Sequence, residues 1–145
     1  MFLVLICLNR KTVKIPKQTS SRVMSDTLSN VELDEESMAR IVQKILDKDT
    51  EQALSDLSDL CKICPPEIVV GTIKGKRKTV YAVYVQNENR IYAMNSEIFY
   101  NPFVILHEFY HHLRSRGGVH RGSEKNANLY AKRFIDAYSN ALTNK

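Results

Sequence analysis

The run His107-Glu108-Phe109-Tyr110-His111 sets two imidazoles four residues apart, with a carboxylate beside the first. On a helix each residue turns the chain by about 100°, so His107 and His111 project within about 40° of one another, one turn apart. Zinc accepts neutral imidazole nitrogen, and a catalytic site takes three protein ligands and leaves the fourth position to water. Glu108, next to the pair, can accept the proton of a water attacking a carbonyl and pass it to the leaving amine. The spacing therefore predicts a hydrolytic zinc centre with His107 and His111 as ligands and Glu108 as general base. Such a motif arises by accident in on the order of one chain of this length in a few hundred, so the surrounding residues have to support it. All four histidines fall between positions 107 and 120. The motif also follows an apolar helix start, where an unpartnered polar side chain would cost free energy.

A third ligand is sought downstream. Counted back from Phe134 through Ala131 and Ala127, Glu124 falls at the end of an apolar stripe, where a bare carboxylate is costly and wants a cation. If Gly117-Gly118 turns the last helix back on the first, Glu124 reaches the metal. Asn128, one turn later, can then accept the Nδ1 proton of a ligand histidine. His120, in the intervening loop, is the rival third ligand. The plain alternatives are that the histidine pair is structural and that Glu124 is an acid favoured by the dipole at a helix start. His112 points about 100° away from His111 and is expected to be exposed or to support the ligands. An oxyanion would want a further donor, for which Tyr110, His112, His120 and Tyr130 are the candidates.

These residues need two helices facing each other and a sheet beside them. From Asp34 the pattern is helical, with Leu33 and Met38 placed as a staple around an Asp34 cap and Met38, Ile41, Val42, Ile45 and Leu46 on one face. After Asp47–Thr50 the apolar face resumes at Ala53, Leu54, Leu57 and Leu60 and ends before Pro65-Pro66, which predicts one kinked helix or a pair. Ile68–Ile73, Thr79–Gln86 and Arg90–Asn95 are rich in Val, Ile and Tyr and are separated by turn-like Gly75-Lys76 and Asn87-Glu88-Asn89, which predicts a three-stranded antiparallel meander. Asn101-Pro102 opens the helix that carries the histidines, and Ser123 opens a last helix with Ala127, Tyr130, Ala131, Phe134, Tyr138 and Ala141 on its apolar face. The expected fold is α+β: an N-terminal helix or helix pair, three strands, the HExxH helix and a C-terminal helix. Residues 31–145 are expected to form this one domain, and residues 1–30 a tail or an added strand, with 1–23 an upstream extension before Met24.

The chain has 145 residues, 43% hydrophobic and 26% charged, which suits one soluble domain and argues against wholesale disorder. Its net charge of +5 is unevenly spread. Residues 31–60 hold nine acidic and three basic side chains, whereas 61–145 hold thirteen basic and six acidic, including Lys74, Lys76, Arg77 and Lys78. No aromatic-rich motif accompanies this charge, so nucleic acid is only weakly indicated as a partner and a solvated turn is the simpler expectation. Three cysteines, Cys7, Cys61 and Cys64, do not make a disulfide framework, and nothing completes a zinc site at Cys61-x-x-Cys64; buried thiols are expected. The apolar run Met1–Leu8 is eight residues long where a membrane span needs about 20. Its basic residues follow rather than precede it, unlike a secretory signal, so a cytoplasmic protein is expected.

Two stretches, Val104-Ile-Leu-His-Glu-Phe-Tyr-His-His-Leu113 and Glu124-Lys-Asn-Ala-Asn-Leu-Tyr-Ala-Lys-Arg-Phe134, resemble the small HExxH metallopeptidases of the ImmA/IrrE type. That family pairs its HExxH helix with a Glu-x-x-Ala-Asn-x-x-Ala helix. The resemblance implies a minimal zincin core, one catalytic zinc with Glu124 as third ligand, and a peptide or protein substrate. It also implies that Arg90–Asn95, with Ile91, Tyr92, Ala93 and Met94, is the edge strand to which the substrate adds. The metzincin pattern is excluded, because its glycine and third histidine would fall on Arg114 and Gly117. An SprT-like protease using His120 and acting on DNA-associated proteins is the alternative within the peptidases. Outside them stands a non-enzymatic basic protein associated with nucleic acid.

Overall fold

The computed structural model describes residues 33–71, 81–116 and 122–144. The expected N-terminal tail, the Gly75-Lys76 turn, the Lys74–Lys78 run, Gly117-Gly118 and His120 lie outside them. Helices α1 (Glu35–Leu46) and α2 (Thr50–Cys61) come first, then strands β1 (Glu67–Val70), β2 (Ala82–Val85) and β3 (Arg90–Ala93). Helices α3 (Ser96–Phe99), α4 (Pro102–Arg116) and α5 (Glu124–Thr143) follow. The fold class is α+β, as expected.

The N-terminal helical region is a pair, because Lys48 takes a left-handed backbone (φ 69°) between α1 and α2. Asn101 caps α4 by accepting a hydrogen bond from the Val104 amide at 3.2 Å, with Pro102 at the first helical position, where its missing amide hydrogen costs nothing. Ser123 caps α5 through the Asn126 amide at 3.1 Å. The one-turn α3 was not expected, although its signal is local: Asn95 accepts from the Ile98 amide at 2.9 Å.

The sheet differs from the expected meander. Its strand order is β1-β3-β2, with β1 parallel and β2 antiparallel to β3. Only β2 and β3 form a hairpin, through the 3-10 turn Gln86–Glu88 and Asn89 in left-handed conformation (φ 54°), which asparagine tolerates better than most residues. Parallel neighbours cannot be joined by a tight turn. The described β1 and β2 are not neighbours in the sheet, and the Gly75-Lys76 turn expected between them lies outside the described residues. It follows that Ile91, Tyr92 and Ala93 lie on the central strand, flanked on both sides, and Met94 donates its amide to Tyr81 O at 2.8 Å at the strand's end. None of them is an edge for substrate addition. Among the described strands, β1 and β2 are the outer ones.

Helix α4 is the central element. Ile105, Leu106, Phe109 and Leu113 are buried on it, and so are Glu108, His111 and His112, so the helix is enclosed on several sides and its polar residues are held by packing around them. Helix α5 packs against both α1 and α4. Its buried Ala127, Ala131 and Ala137 are small, which allows close approach, while Phe134 fills the core shared with Ile41, Val42 and Ile45 of α1. Cys61, at the end of α2, is a buried free thiol as expected, whereas Cys64 is half-buried and disulfide-bonded, which corrects the expectation of a free thiol there.

Candidate metal centre

His107 and His111 project from α4 with ring centroids 5.1 Å apart. The first residue of α5, Glu124, brings its carboxylate to them: Oε2 lies 2.5 Å from His111 Nε2 and 3.3 Å from His107 Nε2. One ligand atom from each of the three residues lies within 4.8 Å of the others, a group that can hold a metal ion. At zinc bond lengths of about 2.0–2.1 Å, donors of a tetrahedral site sit about 3.3 Å apart. The His107–Glu124 separation matches that spacing, and the closer His111–Glu124 pair needs the carboxylate to shift by less than an ångström. Two imidazoles and one carboxylate are a donor set that suits zinc in chemistry, and the group could hold a metal ion.

Each donor is positioned by a different device. Asn128, one turn along α5 from Glu124, places Oδ1 2.8 Å from His107 Nδ1. Since an amide oxygen only accepts, the proton belongs on Nδ1, and the Nε2 lone pair is turned towards His111 and Glu124. His111 is held by burial, its side chain being 1% exposed. Glu124 is different, at 72% exposed. Burial therefore does not force it to seek a cation, contrary to expectation, and what delivers it is its place at the capped start of α5.

Gly122 makes that delivery possible. Its φ is +80°, and a Cβ there would lie 2.5 Å from Tyr110 Cε1 and 3.0 Å from the Tyr110 hydroxyl. The backbone passes directly over the Tyr110 ring, two residues before Glu124, where only glycine fits without strain. Nothing in the residue pattern singles out Gly122 beyond its place just before the Ser123 cap.

Glu108 is 7% exposed, and its two oxygens face different ways. Oε2 accepts a hydrogen bond from the Tyr84 amide on β2 at 2.8 Å, while Oε1 lies 3.9 Å from His107 Nε2, on the side of the ligands. A backbone donor of this kind carries no side-chain signature, and sequence reasoning missed it.

The other candidates separate. His112 is fully buried, not exposed, and faces away from the ligand group, with Nε2 donating to Cys64 O at 2.7 Å and Nδ1 3.1 Å from the Tyr84 hydroxyl. Tyr130 packs its ring between Tyr110 and Phe134 and buries its hydroxyl beside Cys61, where it meets no hydrogen-bond partner of good geometry. Burial pushes that phenol well above its usual range and the Cys61 thiol up to about 11. Neither His112 nor Tyr130 is placed to donate to an oxyanion at the ligand group. Tyr110 turns its hydroxyl to Gly122, and His120 lies outside the described residues.

No protein-family model, curated protein or solved structure matches this chain. Among the described residues, no helix is long and apolar enough to cross a membrane.

Proposed function

We propose that this protein is a zinc-dependent peptidase, a reading carried by the convergence of His107, His111 and Glu124 beside the buried carboxylate of Glu108. The two histidines and Glu124 hold the ion, which when bound supplies Lewis-acid polarisation of the scissile carbonyl and acidifies a water. Glu108 presents Oε1 towards the ligands, takes the proton of the attacking water there and delivers it to the leaving amine, while Oε2 stays anchored to Tyr84. Asn128 keeps the His107 proton on Nδ1. Glu124 rather than His120 is the third ligand in this reading, because its carboxylate already lies against both histidines.

The substrate strand is assigned to β2. The Met94 amide bonds to Tyr81 O, so residues 83 and 85 of the same ladder direct their backbone groups at β3, and Ala82 and Tyr84 direct theirs outward. The outward side is the side of Glu108, as the Tyr84 amide demonstrates. A peptide pairing at Ala82 would run alongside the catalytic carboxylate.

Purified protein is expected to hold one zinc per chain, measured by elemental analysis. The Glu108→Gln variant is expected to keep that zinc while hydrolysis of a quenched fluorogenic peptide library falls about 100- to 10,000-fold. A chain that binds no zinc, and whose melting temperature zinc does not raise, is a basic binding protein and not a peptidase. Retained cleavage by Glu108→Gln removes Glu108 from the role of base.

A further inference from the structure

We propose that His112 is a positioning residue for Glu108, acting through Tyr84; the inference rests on the reading of Glu108 as the general base. Tyr84 is held at two points. Its amide, facing outward from the sheet, donates to Glu108 Oε2 at 2.8 Å, and its hydroxyl meets His112 Nδ1 at 3.1 Å, with the two rings packed edge to face at 5.3 Å. His112 is itself fixed at its far end. Cys64 O, 2.7 Å from Nε2, can only accept, so Nε2 carries a proton and the ring is turned with Nδ1 towards the Tyr84 hydroxyl. Asn89 Oδ1, 3.3 Å from the same hydroxyl, is a further acceptor and ties the bracket to the β2-β3 turn.

Tyr84 and His112 are 3% and 0% exposed, so the bracket is shielded from competing water. Glu108 and His112 stand four residues apart on α4, and Tyr84 spans from one to the other, backbone to the carboxylate and side chain to the imidazole. This lashes β2 to α4 at the level of the catalytic base. A carboxylate with one oxygen held by a fixed donor has lost its freedom to rotate, and its second oxygen stays directed at the ligand group. Freed from His112, Tyr84 would let its amide drift off Oε2, and Glu108 would sample orientations that do not face the ligands.

Amide hydrogen exchange followed by NMR on the full chain tests this without requiring catalysis. In the wild type, the amide at position 84 is expected to be protected although it faces away from β3, and Glu108→Ala sets the level reached when the carboxylate is gone. Tyr84→Phe, which keeps the ring and removes the hydroxyl, is expected to speed exchange at position 84 about tenfold relative to positions 83 and 85, whose amides point into the sheet. His112→Gln, whose side-chain amide can still offer one donor and one acceptor, is expected to fall between the two. Unprotected exchange at position 84 in the wild type overturns the proposal. So does an unchanged ratio in Tyr84→Phe, or a rise shared equally by 83, 84 and 85, which marks general loosening. With the fluorogenic library as probe, Tyr84→Phe is expected to lower kcat severalfold at unchanged KM and zinc content. A wild type that neither binds zinc nor cleaves the library refutes the peptidase reading and leaves the exchange result to decide the bracket.

Discussion

Removing one donor at a time separates the residues of the ligand group by what holds them. Glu124→Ala leaves two histidines, and its zinc affinity is expected to fall by more than that of Asn128→Ala, where loss of the outer hydrogen bond to His107 costs about 10- to 100-fold. Competition with a chromogenic chelator measures both. At Gly122 the expected fault is in the backbone. Gly122→Ala pushes a methyl into Tyr110 and strains a φ of +80°, with an expected loss of about 1–3 kcal/mol in urea unfolding and weaker zinc binding as Glu124 is displaced. The candidate ligands His107 and His111 and the proposed base Glu108 could be named from five letters because a helix repeats locally and converts spacing directly into direction. Glu124 and Asn128 were legible from the same period on a second helix, although the reason given for Glu124 was wrong: the carboxylate is exposed, and the Ser123 cap rather than desolvation fixes its position. Tyr84 was not legible, since the group that touches Glu108 is a backbone amide and its partner is set by strand register.

Among the elements, α5 carries two tasks on one face. Ala127, Ala131 and Phe134 pack against the rest of the core, and Glu124 and Asn128 extend the same surface to the histidines. Phe134→Ala is accordingly expected to cost about 3–5 kcal/mol, read by denaturant unfolding of the metal-free chain, and to weaken zinc binding although it lies nearly three turns from Glu124. The helices were readable from caps and apolar period, the pair α1-α2 included. Strand existence was readable too, but not strand order. Composition and turn residues say where strands begin and end, whereas whether β1 lies beside β2 or beside β3 depends on contacts between distant parts of the chain. The edge strand that the family resemblance implies at residues 90–95 is the central strand here, because register and order are set by contacts that local pattern does not encode.

At the scale of the whole molecule, the proposed zinc binding would be linked to folding. Zinc at about 100 times its dissociation constant is expected to add about 2.7 kcal/mol to stability, seen as a higher melting temperature that chelation reverses. Alkaline pH acts in the opposite sense through Cys61. Its thiol, raised by burial from 9.0 to about 11, keeps its proton in the folded protein while the unfolded chain gives it up. The associated stability is complete below pH 9 and is lost as pH rises through about 11, so the wild type is expected to decline more steeply than Cys61→Ala over that range, by about 2–3 kcal/mol.

The contrast between His111, sealed at 1% exposure, and Glu124, open at 72%, also has a kinetic side. The two histidines sit within α4, His111 buried and His107 half-buried, and persist as long as the protein is folded. The third hangs on the first turn of a helix, secured by the Ser123 hydroxyl, and helix ends open far more often than cores do. In the proposed metal site an ion would therefore enter and leave as the start of α5 frays, and its residence time is expected to follow the Ser123 cap and not the stability of the fold.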